Sequence, residues 1–180
     1  MVEIDEAVVK ASRNHLPSMS GQLDHPKLEL RIADGIQFVR EAEAKSFDIV
    51  IVDGSDPVGP AEGLFTEAFF RDCARVLRDN GYLVTQAESP LFHEKAFAEL
   101  NACLKGVFGR EKVRTQLFFA PTYPTGMWSL QFAAKGAFGG IDGEKVKAFV
   151  KEHRLRYYNE AMHSASFALP GFVRAMLKEE

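Results

Sequence analysis

Cysteine is nearly missing from this chain of 180 residues: Cys73 and Cys103 are the only two. That is too few for a disulfide framework, and they stand in no metal-ligand spacing. A reduced, cytoplasmic setting is therefore expected. No run approaches the ~20 apolar residues that a membrane helix needs. No secretory leader is visible either, because Met1 leads straight into Glu3, Asp5 and Glu6. No block of Lys and Arg stands out and the net charge is −3, so neither duplex nucleic acid nor a membrane is an expected partner. Phosphate-cradling glycine loops are lacking too, since neither G-x-G-x-x-G nor G-x-x-x-x-G-K-[ST] occurs. Internal repeats and low-complexity tracts are absent. What is present is a 46% hydrophobic and 26% charged composition, which excludes a disordered or collagen-like chain and fits one domain of ordinary size.

The pattern along the chain alternates strands and helices. Residues 5–16 read as a helix that Asp5 caps and Pro17 ends. A polar loop over 18–26 precedes an alternating strand over 28–33 and a helix over 35–44. Residues 47–52, Phe-Asp-Ile-Val-Ile-Val, form a nearly continuous β-branched run. Such a run suits a strand buried on both faces of a parallel sheet. After a loop over 53–63, Thr66 can cap a helix that runs to Leu77, and Asp79-Asn80-Gly81 is a turn that stops it. Strands over 82–85, 113–119 and 127–134, and helices over 94–105, 144–153 and 172–178, complete the pattern. The strands at 113–119 and 127–134 are separated by a short loop, so they are expected to pair antiparallel. The fold class is α/β, with a largely parallel, Rossmann-like sheet of the S-adenosylmethionine-methyltransferase type closed by an antiparallel hairpin.

Ligands in open α/β sheets bind outside the carboxyl ends of the strands. Those ends carry Glu3 and Asp5, then Asp34-Gly35, then Asp53 with Asp56, then Gln86 with Glu88. Acidic residues there can simply cap the following helices, which covers Asp5 and part of Asp34. Asp53 and Asp56 resist that reading, because their loop runs through Pro57, Gly59 and Pro60 well before Thr66. A rim of carboxylates focuses negative potential and favours a cationic ligand. A carboxylate at a strand end also accepts two hydrogen bonds from a vicinal diol, a role for which Glu3 is placed. The expected ligand is a nucleoside together with a positively charged group.

Other chemistry-bearing residues read more plainly. His93 and His163 stand alone, without triad spacing, in surface or packing roles. Cys73 falls within an amphipathic helix as a core residue. Ser55 and Ser89 lack a nucleophile elbow. Tyr123, between two prolines, either walls a pocket or is an ordinary turn aromatic.

Several stretches together resemble the polyamine aminopropyltransferase (spermidine synthase) family: Val2-Glu-Ile-Asp5, Asp34-Gly35, Asp53-Gly-Ser-Asp-Pro-Val-Gly-Pro-Ala61, Leu64-Phe65, Gln86-Ala-Glu-Ser89 and Pro121-Thr-Tyr-Pro-Thr-Gly126. The similarity spans essentially the whole chain. It implies transfer of an aminopropyl group from decarboxylated S-adenosylmethionine, a co-substrate, to putrescine or another polyamine, with no cofactor and no metal. By that resemblance Glu3 holds the ribose, Asp34 and Gly35 read the adenine amino group, and Pro60, Ala61 and Leu64 line the adenine pocket. Asp53 takes the proton of the attacking amine, Asp56 binds the amine end, and Gln86 and Tyr123 shape the diamine channel.

Family members carry a small β domain, a central strand and a glycine-rich loop, all of which would precede Val2. The expectation is a single, shortened catalytic domain over residues 1–180, lacking the central first strand beside the one that ends at Glu3. Unpaired edges would follow, with weak or partner-dependent activity. A homodimer is part of the family pattern. The alternatives are a related methyltransferase and an inactive fragment that binds nucleoside.

Overall fold

The computed structural model describes residues 1–55 and 59–179. The expectation placed on Asp56 lies outside the described residues. The chain divides into two compact units, Met1–Glu43 and Ala44–Glu180.

In the first unit, β1 (Val2–Glu3) runs parallel to β2 (Arg31–Ile32), with Val2 opposite Arg31 and Glu3 opposite Ile32. Three helices accompany them: α1 (Glu6–His15), α2 (Pro17–Ser20) and α3 (Gly35–Glu41). Asp5 caps α1 as expected, its Oδ1 accepting the Ala7 amide at 2.7 Å. Pro17 ends α1 but also opens α2, at the first helical position where a missing N–H costs nothing. The loop expected over 18–26 therefore starts later. The strand expected over 28–33 shrinks to two exposed residues, because β1 offers a ladder only two residues long. Helix α3 stops at Glu41, where Ala42 turns extended at ψ 149°.

In the second unit, β3 (Phe47–Val52), a 3-10 segment (Gly59–Phe65), α4 (Glu67–Val76), β4 (Leu77–Gln86) and α5 (Glu94–Phe108) come first. Then follow β5 (Val113–Phe119), β6 (Met127–Ala134), α6 (Gly143–His153), α7 (Glu160–Ser166) and α8 (Gly171–Met176). The sheet order is β3-β4-β6-β5. β3 and β4 are parallel, and β6 runs antiparallel to both β4 and β5. This is the expected parallel pattern with a closing antiparallel hairpin. β1 and β2 form a sheet of their own.

Two local expectations are corrected. Asp79-Asn80-Gly81 is not a free turn but an irregularity inside β4: Phe47 pairs with Leu77 and Ile49 already with Tyr82. Gly81 permits it, since a Cβ there would lie 3.0 Å from the carbonyl oxygens of Arg78 and Asp48. Strand β3 is not buried on both faces. Val52 is buried, but Ile49 and Ile51 on the opposite face are 57% and 73% exposed. Among the described residues β3 pairs with β4.

The core of this unit follows helical and strand periodicity. Phe69, Phe70, Cys73 and Val76 are the buried stripe of α4, and Thr66 caps it through the Phe69 amide. Phe97 of α5 is fully buried with Val173 and Leu177, so the tail helix α8 docks on α5. Helix α7, which no sequence pattern announced, covers the β5 edge. Gln116 Nε2 donates to Ser166 Oγ at 2.9 Å, and nearby the Phe119 amide donates to Tyr157 Oη at 3.3 Å. Among the described residues no helix is long and apolar enough to cross a membrane.

Two predictions follow from this packing. Phe97→Ala removes a fully buried ring and is expected to cost about 3–5 kcal/mol, read as a lower urea midpoint. The Cys73 thiol is pushed up to about 12 from its ordinary 9.0, first by burial and then by the Asp72 carboxylate. Folding therefore favours the protonated thiol. That contribution is complete below pH 9 and is lost as pH rises toward 12. Native protein at pH 8.5 is expected to leave Cys73 unalkylated by iodoacetamide until it unfolds, as peptide mapping would show.

Candidate active site at the carboxyl ends of the parallel strands

The parallel register of β3 and β4 places two site residues together. Val52 lies opposite Thr85, so the residues that follow, Asp53 and Gln86, leave the sheet at the same end. Asp53 is exposed there. Strand β6 starts at this end as well, with Leu130 opposite Gln86. The β5–β6 loop that carries Tyr123 thus belongs to the same rim.

That loop is tightly turned. The Ala120 amide donates to Gly126 O at 2.8 Å, and the Gly126 amide to Tyr123 O at 3.0 Å. Thr125 and Gly126 both take positive φ, 64° and 73°. Gly126 is required, because a Cβ would sit 2.2 Å from the Phe119 ring. The turn presents the Tyr123 ring to Trp128, stacked at 4.4 Å and 29°. Tyr123 is 51% exposed while Trp128 is 9% exposed, so Tyr123 is the open face of an aromatic wall.

Behind the wall lies a polar cluster that the sequence does not reveal. The Gln86 amide is held at both ends. Its Oε1 accepts from the Glu88 amide at 2.8 Å and from Trp128 Nε1 at 3.3 Å, and its Nε2 donates to Glu88 Oε1 at 2.7 Å. Glu88 is 1% exposed and sits at φ 65°, a left-handed conformation that side chains other than glycine rarely adopt. Ser129 Oγ staples this turn to β6 by donating to Ala87 O at 3.0 Å and Glu88 O at 2.7 Å. The second Glu88 oxygen, Oε2, lies 3.0 Å from His93 Nδ1. The contact is one of ion-pair distance rather than of hydrogen-bond geometry, and among the described residues neither atom has a hydrogen-bond partner. The His93 ring also meets Trp128 edge-on at 5.8 Å. The histidine expected in a surface or packing role thus packs on Trp128 and also stands at ion-pair distance from a buried carboxylate.

Of the nucleoside-side expectations, Ala61 and Leu64 fall in the 3-10 segment after β3, Ala61 buried and Leu64 half-buried. The Pro60 backbone lies in the same segment. In the first unit, Glu3 and Asp34 stand at the carboxyl ends of the parallel pair β1 and β2. Both already serve local structure. Glu3 Oε1 accepts the Asp5 amide at 2.9 Å, and Asp34 caps α3 by accepting the Ile36 amide at 2.8 Å. A Cβ on Gly35 would meet nothing within 4 Å, so the backbone is open at that point. Among the described residues no cluster of His, Cys, Asp and Glu could hold a metal ion.

Asp53 and Gln86 at adjoining strand ends, beside a stacked aromatic pair, stand where open α/β sheets take small-molecule ligands. Residues 1–140 match the Spermine/spermidine synthase domain family, and the chain belongs to it. It is 42% identical over 178 residues to the polyamine aminopropyltransferase of Methylococcus capsulatus, a match covering 99% of this chain and 61% of the relative. The polyamine aminopropyltransferase of Clostridioides difficile is 40% identical over 183 residues, covering 100% of this chain and 64% of that protein. The crystal structure of spermidine synthase from Thermotoga maritima superposes with a TM-score of 0.89 at 39% identity, over 98% of this chain and 59% of that one. A spermidine synthase in complex with the transition state analogue AdoDATO gives a TM-score of 0.91 at 39% identity, over 98% and 60% of the two chains. The chain thus spans about three fifths of the length of the relatives it matches.

Gly126→Ala tests the loop. The positive φ alone costs a residue with a Cβ about 1–2 kcal/mol, and the Phe119 ring must also move. The expected result is lower stability together with a changed emission from Trp128, the only tryptophan in the chain.

Proposed function

We propose that this chain carries the amine-side machinery of an aminopropyltransferase, with decarboxylated S-adenosylmethionine as donor and putrescine as acceptor. The observation that supports it most is the in-register exit of β3 and β4, which brings Asp53 and Gln86 to one end beside the Tyr123–Trp128 wall.

In this reading a putrescine nitrogen attacks the aminopropyl carbon bonded to the sulfonium. The new C–N bond forms as the C–S bond breaks, and the bonding pair returns to sulfur as the thioether of methylthioadenosine. An alkylamine titrates near lysine, at about 10, so it arrives protonated at neutral pH and must lose a proton to react. Asp53, exposed at the strand end, accepts that proton. Sulfonium leaves readily, so the remaining work is alignment of nitrogen, carbon and sulfur. Asp56 would receive the far amine, with Gln86 and Tyr123 bounding the channel. Ala61 and Leu64, with Pro60, would line the adenine. For the first unit the reading assigns ribose to Glu3 and the adenine amino group to Asp34 and Gly35. No cofactor enters the reaction.

A second reading, nucleoside binding without turnover, is favoured by the exposed Ile49 and Ile51 face of β3. The two readings separate in one assay. The purified chain is incubated with decarboxylated S-adenosylmethionine and putrescine, and spermidine and methylthioadenosine are followed by chromatography. Product in equal amounts supports transfer. Methylthioadenosine binding with no product supports the second reading. Asp53→Asn keeps shape and removes the base, and is expected to lower kcat about 10²–10⁴-fold.

A further inference from the structure

We propose that His93 is a positioning residue for the amine-side wall, acting through Glu88 on the Gln86 amide and the Trp128–Tyr123 stack. The proposal rests on the functional reading above for the word amine; the relay itself rests on geometry alone.

Glu88 is almost wholly buried, and an ionised carboxylate in that position needs partners on both oxygens. Oε1 has the Gln86 Nε2 donor at 2.7 Å. Oε2 has no hydrogen-bond partner among the described residues, and the His93 ring lies 3.0 Å from it at ion-pair distance. His93 is the N-cap residue of α5 yet makes no capping hydrogen bond with its side chain. Its ring is turned to Glu88 instead, and its own backbone is fixed by donation to Ser89 O at 2.9 Å. The helix start therefore sets the imidazole against the carboxylate, and the carboxylate holds the amide.

The amide's orientation has a chemical consequence. Gln86 Oε1 is taken by two donors, the Glu88 amide and the Trp128 indole. Oxygen is the acceptor that an ammonium group would need. Gln86 in this orientation turns no free carbonyl to a cation; it fixes the indole on which Tyr123 stacks. Released from Glu88, the amide can rotate by half a turn, exchange its N–H and carbonyl ends, and let the indole go. The wall would then lose its shape and gain an acceptor in the wrong place. His93 is two-fifths exposed, and the side chains it meets are Glu88 and Trp128 rather than Asp53, so its effect is expected on amine binding and not on the transfer step.

The test combines a double-mutant cycle with a spectroscopic readout. His93→Ala, Glu88→Ala and the pair are compared with wild type and with His93→Gln, which keeps a neutral donor. Far-UV circular dichroism checks folding. Trp128, the single tryptophan, reports the wall directly. His93→Ala is expected to red-shift its emission and to raise KM for putrescine about tenfold, leaving kcat and KM for the nucleoside donor within about twofold. His93→Gln should recover part of both changes. In the Glu88→Ala background the loss of His93 should add nothing, because a residue that acts through another is non-additive with it. Unchanged emission in His93→Ala overturns the relay, as does additivity of the two substitutions. An emission shift with equal rises in both KM values overturns the amine-specific role. If wild type transfers no aminopropyl group at all, the functional reading falls, and the emission cycle still decides whether His93 sets the wall.

Discussion

A carboxylate that is 1% exposed must be answered from inside the fold, and the answer given to Glu88 arranges one whole end of the sheet. Its two oxygens face Gln86 and His93, its own amide holds the Gln86 carbonyl, and its backbone is stapled by Ser129. The turn adopts a left-handed φ at a residue with a full side chain, a strain that persists only where the surroundings over-determine it. Here three elements do so: the exit of β4, the start of α5 and the first residues of β6. The hydrogen-bonded part of this network, Gln86 with Glu88 and Trp128 and Ser129 with the Glu88 carbonyl, fixes geometry more sharply than apolar contacts of the same size. That is what a site relying on alignment requires.

The part of the site that depends on strand ends was legible in the sequence. Phe47–Val52 reads as a strand from its β-branched run, and the residue after it, Asp53, is then at a carboxyl end by definition. Gln86 follows by the same logic, and parallel pairing brings the two together. The hairpin β5–β6 was legible to the residue, because two apolar runs joined by a proline- and glycine-rich loop leave little choice of register. The Glu88–His93–Trp128 cluster was not legible. Its members come from different elements, and no periodicity relates positions 88, 93 and 128. The available hint was Gln86-Ala-Glu88, two polar side chains separated by a small residue where the strand leaves the sheet. Alternation aims both to one face, and burial of one demands a partner from elsewhere.

Burial of β3 was misread for a physical reason. A run of valine and isoleucine states that a strand can be covered on both faces, not that it is covered. Within the second unit only the Val52 face meets a core, and Ile49 and Ile51 face outward. Helix α7 was overlooked because seven residues carry less than two turns of pattern, too few for a periodicity to show. Its N-cap, Asn159 accepting the Met162 amide at 2.8 Å, was the better signal.

The two edges of the second sheet are treated differently, and the difference bears on Asp53. At β5 the tail covers the edge, with Tyr157 taking the Phe119 amide and Ser166 the Gln116 side chain. β3 pairs with β4, and the proposed base sits at the exposed end of that strand. Among the described contacts of that strand are the β3–β4 ladder and the ties at its far end: Arg78 with Asp48 at 2.6 Å and Lys45 with Asp79 at 2.8 Å. Exposed pairs of that kind contribute at most about 1 kcal/mol each. The irregularity of the ladder at Gly81 sets the register in which Val52 meets Thr85. Placement of the carboxylate at one end of β3 is thus influenced at the other, by a backbone approach at Gly81 that a side chain would crowd.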